Sequence, residues 1–304
     1  MVSTWLNGLV SGTVFSGGAY FAGGYASADV DTVTKFAFSD DSRTTLGTGL
    51  SSARRNLTGA ANSGTAAYFA GGYPIVTTVD KIAFSDDSRT TLGTGLSAAR
   101  GILSGAANSG TAAYFAGGLA AAGNVTTVNK FAFSDDSRTT LGTGLSAATN
   151  ALAGAANSGT AAYFAGGFAS GDLTTVNKFA FSDDSRTTLG TGLSVARRYL
   201  AGAANSGTAA YFAGGLSLVT TVDKIAFSDD SRTTLGTGLS AATSYLAGAA
   251  YSGTAAYFGG GETASAIVAT VDKFAFSDDS RTTLGTGLSV GRRYLAGAAN
   301  SGVL

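Results

Sequence analysis

The sequence predicts an all-β protein of six four-stranded antiparallel sheets set around an axis. Three observations carry that expectation. Fifteen residues, Ala-Phe-Ser-Asp-Asp-Ser-Arg-Thr-Thr-Leu-Gly-Thr-Gly-Leu-Ser, occur unchanged at 37–51, 83–97, 132–146, 180–194, 226–240 and 275–289, a period of 46 to 49 residues. A second block, Asn-Ser-Gly-Thr-Ala-Ala-Tyr-Phe-Ala-Gly-Gly, is identical at 62–72, 108–118, 157–167 and 205–215, with looser copies at 16–24 and 251–261. The 304 residues include 45 Gly, and no 3.6-residue apolar stripe survives for two turns. Such periods belong to solenoids, propellers and arrays.

One period, residues 57–97, justifies the elements in turn. Residues 57–62 (Leu-Thr-Gly-Ala-Ala-Asn) are small and apolar and form a first strand. Ser63-Gly64 turns the chain, and residues 66–70 (Ala-Ala-Tyr-Phe-Ala) make a second strand closed by Gly71-Gly72. Residues 79–84 (Val-Asp-Lys-Ile-Ala-Phe) alternate as a half-buried strand does. Ser85-Asp86-Asp87-Ser88 is turn chemistry, because Asp and Ser side chains bond nearby amides. Arg89 starts a fourth strand that Gly93-Thr94-Gly95 ends.

The tiny side chains of the first strand suit sheets converging on an axis, which favours a closed ring over an open stack. The ends suggest how it closes. Residues 295–301 (Leu-Ala-Gly-Ala-Ala-Asn-Ser) are a further first strand, while the opening copy, 16–51, has strands two to four but a poor first strand. Pairing them with residues 18–24 completes that sheet. Residues 1–17 are expected to be an irregular arm or cap, and 18–304 a single domain.

The Gly-Gly doublet after a Tyr-Phe strand (Tyr68 to Gly72), the aromatic third strand, the Asp-containing turn and the Ser-x-Ala-Arg approach to the next unit resemble kelch repeats across 16–304. The resemblance implies a six-bladed kelch-like β-propeller of four-stranded blades, closed by the C-terminal strand. Kelch repeats carry a Trp on the fourth strand where this chain has Leu46, Leu92 and Leu141, which implies a leaner core. Tandem units of this kind also resemble repeats of bacteriophage structural proteins.

Composition narrows the chemistry. With no His and no Cys, ordinary Zn, haem and Fe–S sites and His- or Cys-based triads are excluded. Nineteen basic and nineteen acidic residues give no electrostatic footprint for nucleic acid. No run reaches the ~20 apolar residues of a membrane-spanning helix, and the first residues lack a signal peptide's basic and apolar regions. Catalysis needs individually tuned groups, whereas nearly every Asp, Lys and Tyr here recurs six times. The expectation is a non-enzymatic protein without metal or cofactor. The Asp40-Asp41 turns are read as pairing with Arg43 rather than binding Ca²⁺, and Lys35 and its equivalents as lying on the exposed side of the third strand.

The repeats are their own control. Variation falls at 25–30, 73–76, 119–124, 168–173, 216–219 and 262–267, between strands two and three. It falls again at 54–56, 100–102, 149–151, 197–199, 243–245 and 292–294, between strands four and one. In an up-and-down sheet these loops emerge on one face, and the invariant turns on the other. Drift at unconstrained loops accounts for such variation, and so does a recognition face carried on a rigid scaffold. The second reading selects Arg54, Arg55, Arg100, Arg197, Arg198, Arg292 and Arg293 with Tyr73, Phe168, Tyr199, Tyr245 and Tyr294, residue types that dominate binding hot spots. The expected partner is a host-surface glycan or protein, or another virion protein, at a virion or extracellular surface. The alternative is a structural virion component docking through its uniform face or residues 1–17.

Overall fold

The computed structural model describes residues 17–216 and 218–300. Among them there is no helix, and the strands form six four-stranded antiparallel sheets with one small three-stranded sheet. The expected arm at 1–17 lies outside the described residues, Gly17 excepted.

Each four-stranded sheet is ordered first to fourth strand. Unit 2 runs Thr58–Asn62, Ala66–Ala70, Val79–Ala83 and Arg89–Thr91. Units 3 to 6 repeat it from first strands Ser104–Asn108, Ala153–Asn157, Ala201–Asn205 and Ala247–Tyr251. Unit 1 takes its first strand from the far end of the chain. Ala296–Asn300 pairs with Gly18–Ala22, in a register from Gly18 opposite Asn300 to Ala22 opposite Ala296.

The burial of each strand follows from its position. The second strand is buried at every residue, so Ala-Ala-Tyr-Phe-Ala can be apolar on both faces. The fourth, Arg-Thr-Thr, is exposed, and its polar residues guard an open sheet edge. The apolar cores lie between units rather than within them. Tyr20 of unit 1 packs in one core with Phe69 and Ile82 of unit 2, and the series returns where Tyr257 of unit 6 meets Phe21 and Phe36 of unit 1. Burying each such ring contributes about 1.5–3 kcal/mol.

First strands meet in cyclic order through glycine. A Cβ on Gly59 would collide with the carbonyl of Gly297, one on Gly105 with that of Gly59, and so on through Gly154, Gly202, Gly248 and back to Gly297. The repeated Gly-Ala-Ala is therefore a packing requirement at the axis.

The invariant turns are inter-unit latches, which corrects two expectations. Asp87 does not pair with its own turn's arginine; it accepts the Tyr20 hydroxyl at 2.8 Å and Lys35 Nζ from the preceding unit. The same contact joins Tyr68 and Lys81 to Asp136, and the circuit ends with Tyr257 and Lys273 on Asp41. Lys81 is thus part of an inter-unit ion pair with a side chain 26% exposed, not a free outer residue. Arg89 donates to the Gly49 carbonyl of the preceding unit, and its equivalents do likewise. The second Asp of each turn has φ of 55–57°, a left-handed conformation that Asp tolerates. The first, such as Asp86, accepts the Ser88 amide at 3.0 Å, and its bonds to Ser88 hold its carboxyl below the usual range. On the same face the Asn62 side chain accepts from Gly110 N–H, a bond repeated through Asn108, Asn157, Asn205 and Asn300. Unit 6 carries Tyr251 there, stacked on Phe38 at 4.6 Å.

Candidate functional site

On the opposite face the two variable loop sets bond to each other in every unit. Arg55 and Tyr73, Asn150 and Phe168, Ser244 and Glu262, and Tyr25 and Arg293 exchange backbone hydrogen bonds, and Leu216 N–H donates to Arg198. In unit 3 the same pairing, Leu119 opposite Gly101, belongs to the small three-stranded sheet.

Each linker, Arg54-Arg55-Asn56 in unit 2, holds three residues with different duties. The third forms a closed ring at the axis. Ile102 N–H donates to Asn56 O, Ala151 to Ile102, Tyr199 to Ala151, Tyr245 to Tyr199, Tyr294 to Tyr245, and Asn56 to Tyr294, at 2.7–3.0 Å. All six have φ of 55–60°, a strained region for residues other than glycine. Each ring bond offsets that strain by about 1 kcal/mol. Beneath the ring lies a cavity of about 120 Å³ lined by the six ring residues, the leucines that follow them and the axial glycines.

Three consecutive ring positions are tyrosine. Tyr199 and Tyr245 have ring centroids 4.4 Å apart, Tyr245 and Tyr294 4.3 Å, and Tyr199 and Tyr294 6.0 Å. They form a half-buried aromatic cluster at one side of the axial mouth. Burial raises the pKa of Tyr199 and Tyr245 above the ordinary phenol value, so both hydroxyls stay protonated at neutral pH.

The second linker residue reaches the rim. Arg55 pairs with Asp29 at 2.7 Å and lies over Tyr73 at 4.6 Å. Arg198 pairs with Asp172 at 3.1 Å and lies over Phe168 at 4.5 Å. Arg293 pairs with Glu262 and lies over Tyr294 at 5.0 Å. Every acid comes from the unit preceding its arginine. Where units 3 and 4 meet, the pair is Asn124 with Asn150 instead, at 2.8 Å.

The first linker residue is internal. Arg54, Arg100, Arg197 and Arg292 are at most 1% exposed, so the structure takes these four expected contact residues away from the surface. Their guanidinium groups donate to the carbonyls of Phe69, Phe115, Phe212 and Phe21, anchoring linker to second strand. Arg54 and Arg197 also face the buried carboxylates of Asp80 and Asp223 at 2.8 and 3.0 Å. Burial pulls the pKa of Arg100 and Arg292 down to about 10, and among the described residues their side-chain partners are Asn129 and Thr34 rather than a carboxylate.

The surface-accessible remainder is therefore Arg55, Tyr73, Phe168, Arg198, Tyr199, Tyr245, Arg293 and Tyr294, with Tyr73 the most open at 49%. Asp29, Asp172 and Glu262 belong with them, and reading the linkers without the preceding loop misses all three. Among the described residues no group of three His, Cys, Asp or Glu side chains could hold a metal ion. No protein-family model matches the chain, and no curated protein matches it.

Proposed function

We propose that the six sheets are the blades of a kelch-like six-bladed β-propeller closed by its C-terminal strand, and that this propeller is a non-enzymatic recognition module. Its ligand is a glycan or protein at a host surface, bound through the variable face of a protein displayed on a virion or cell. The cyclic order of the axial glycines and of the ring hydrogen bonds supports the closed reading.

One observation carries the functional reading: three variable linker tyrosines converge on one side of the axial mouth. Tyr199, Tyr245 and Tyr294 offer rings for stacking and hydroxyls for hydrogen bonding, and the Arg–acid pairs flank them. That mixture of flat apolar surface and polar edge suits a sugar face or a peptide. Binding on a glycan array, lost in the Tyr199→Ala/Tyr245→Ala double variant while the Tm stays within a few degrees, is the expected result. Unchanged binding refutes the site.

A second reading rests on the opposite face, where identical turns repeat around the axis. A surface of this kind suits a symmetric assembly such as a capsid or tail, with residues 1–17 as the attachment. Deleting 1–17 then abolishes incorporation into the particle without unfolding the sheets.

A further inference from the structure

Beneath the rim, four units hold an arginine whose guanidinium reaches a main-chain carbonyl, and the second residue of the third strand faces it. That residue is Asp80 in unit 2, Asn129 in unit 3, Asp223 in unit 5 and Thr34 in unit 1. Unit 4 has lost cation and anion together, with Thr149 and Asn177 in the two positions. Unit 6 has lost only the cation. Thr243 replaces the arginine and turns its hydroxyl to the Ala241 carbonyl, while Asp272 remains, 4% exposed.

The Asp272 carboxylate is held as in units 2 and 5. Its Oδ2 accepts the Ser240 amide and hydroxyl at 2.8 and 2.9 Å, and its Oδ1 accepts Thr283 at 2.6 Å. Arg281 lies 3.9 Å from Oδ1, on the side away from the oxygen that Arg54 and Arg197 take in their units. Where that guanidinium would stand there is a cavity of about 50 Å³, lined by Thr243, Leu246, Phe258 and Asp272 among others, with Thr263 and Thr270 toward solvent. A single water needs only ~10–15 Å³ by the same measure, so the space admits a small group.

We propose that this cavity is a binding site for a guanidinium group presented by a ligand. In unit 2 a single guanidinium spans both acceptors: Nη1 meets the carboxylate and Nη2 the Phe69 carbonyl. Unit 6 keeps the carboxylate and the corresponding residue, Phe258. Arg281 is a long contact on Oδ1 alone and leaves the Oδ2 side without the guanidinium of units 2 and 5, and a planar fork of donors matches this pair of acceptors better than a point-like ammonium does. The inference rests on the comparison between units and is independent of what the tyrosine cluster binds.

The test is a titration of ¹⁵N-labelled protein with methylguanidinium chloride, at ionic strength matched with NaCl, following the Ser240 amide that donates to Asp272. A saturable shift is expected, with ethylammonium at least about tenfold weaker. The shift should vanish in Thr243→Arg, which restores the side chain that units 2 and 5 accommodate. It should vanish also in Asp272→Asn. No saturable shift in the native protein, or an undiminished one in folded Thr243→Arg, overturns the proposal. A second titration with the tripeptide Gly-Arg-Gly separates the sources. Binding of the tripeptide assigns the site to an arginine side chain, and binding of methylguanidinium alone assigns it to a free small compound.

Discussion

Neighbouring units touch on both faces of the structure, and the two sets of contacts behave differently. On one face the Tyr-and-Lys-to-Asp contact recurs without change at all six junctions. On the other, the contact changes its chemistry from junction to junction but keeps its complementarity: acid with arginine at three, asparagine with asparagine at one. Drift at unconstrained surface positions would not keep arginines opposite acids supplied by a different unit. The variable rim is therefore constrained in pairs, and part of its variation is structural.

If the uniform face is a single circuit, it should fail as one. Burial, reinforced in all six by the bonded Asp, raises the pKa of the repeated tyrosines; in Tyr163, where Lys178 opposes, the value is about 12. Below the ordinary tyrosine pKa of 10.0 this stability is fully present. Above it the unfolded chain releases protons that the folded one keeps, and stability falls by about 1.4 kcal/mol per pH unit for each tyrosine. Arg54, Arg100, Arg197 and Arg292, whose pKa burial lowers, act in the opposite sense, four groups against six. A single cooperative loss of near-UV circular dichroism between about pH 10 and 12 is expected; stepwise loss would break the picture of one circuit.

The next effect contrasts axis and edge. Gly154→Ala drives a methyl into the Gly105 carbonyl and should cost about 3 kcal/mol or more, whereas Gly93→Ala, with nothing within 4 Å, should stay within about 0.5 kcal/mol in urea unfolding. Thr34→Asp tests the interior pairs beneath the rim by completing one of them. It supplies Arg292 with the carboxylate that Arg54 and Arg197 already have, beside Ser289 as Asp80 lies beside Ser51. A gain of about 1–2 kcal/mol is expected in the same assay, and a loss would show that the substitution is not interchangeable between units. Asp136→Asn keeps the left-handed turn but removes the charge that Lys81 meets, for about 1 kcal/mol. The smallest effect is the most discriminating: Asp172→Arg and Arg198→Asp each lose a few tenths of a kcal/mol, and the double exchange recovers most of it.

The sheets were legible because their signals are local and repeated. Tyr-Phe before Gly-Gly ends a strand, Asp-Asp turns it, and each appears often enough to be read without ambiguity. What the latches hold was not legible, since Asp87 serves Tyr20 and Lys35 from a different unit, a distance no local pattern encodes. Adjacent linker arginines look equivalent in sequence, yet Arg54 is interior and Arg55 is at the rim, because successive residues of an extended segment point to opposite sides.

Near-identical wedges pose a counting problem. Strand 247–251 differs from strand 296–300 only in its last residue, so it could pair with Gly18–Ala22 in its place and leave one unit out. Such a miscount would bring Thr243 and Ser244 to where Arg292 and Arg293 belong, leaving Phe21 and Tyr25 without their cations. The pieces that look decorative are also the ones that tell the chain how many turns it has made.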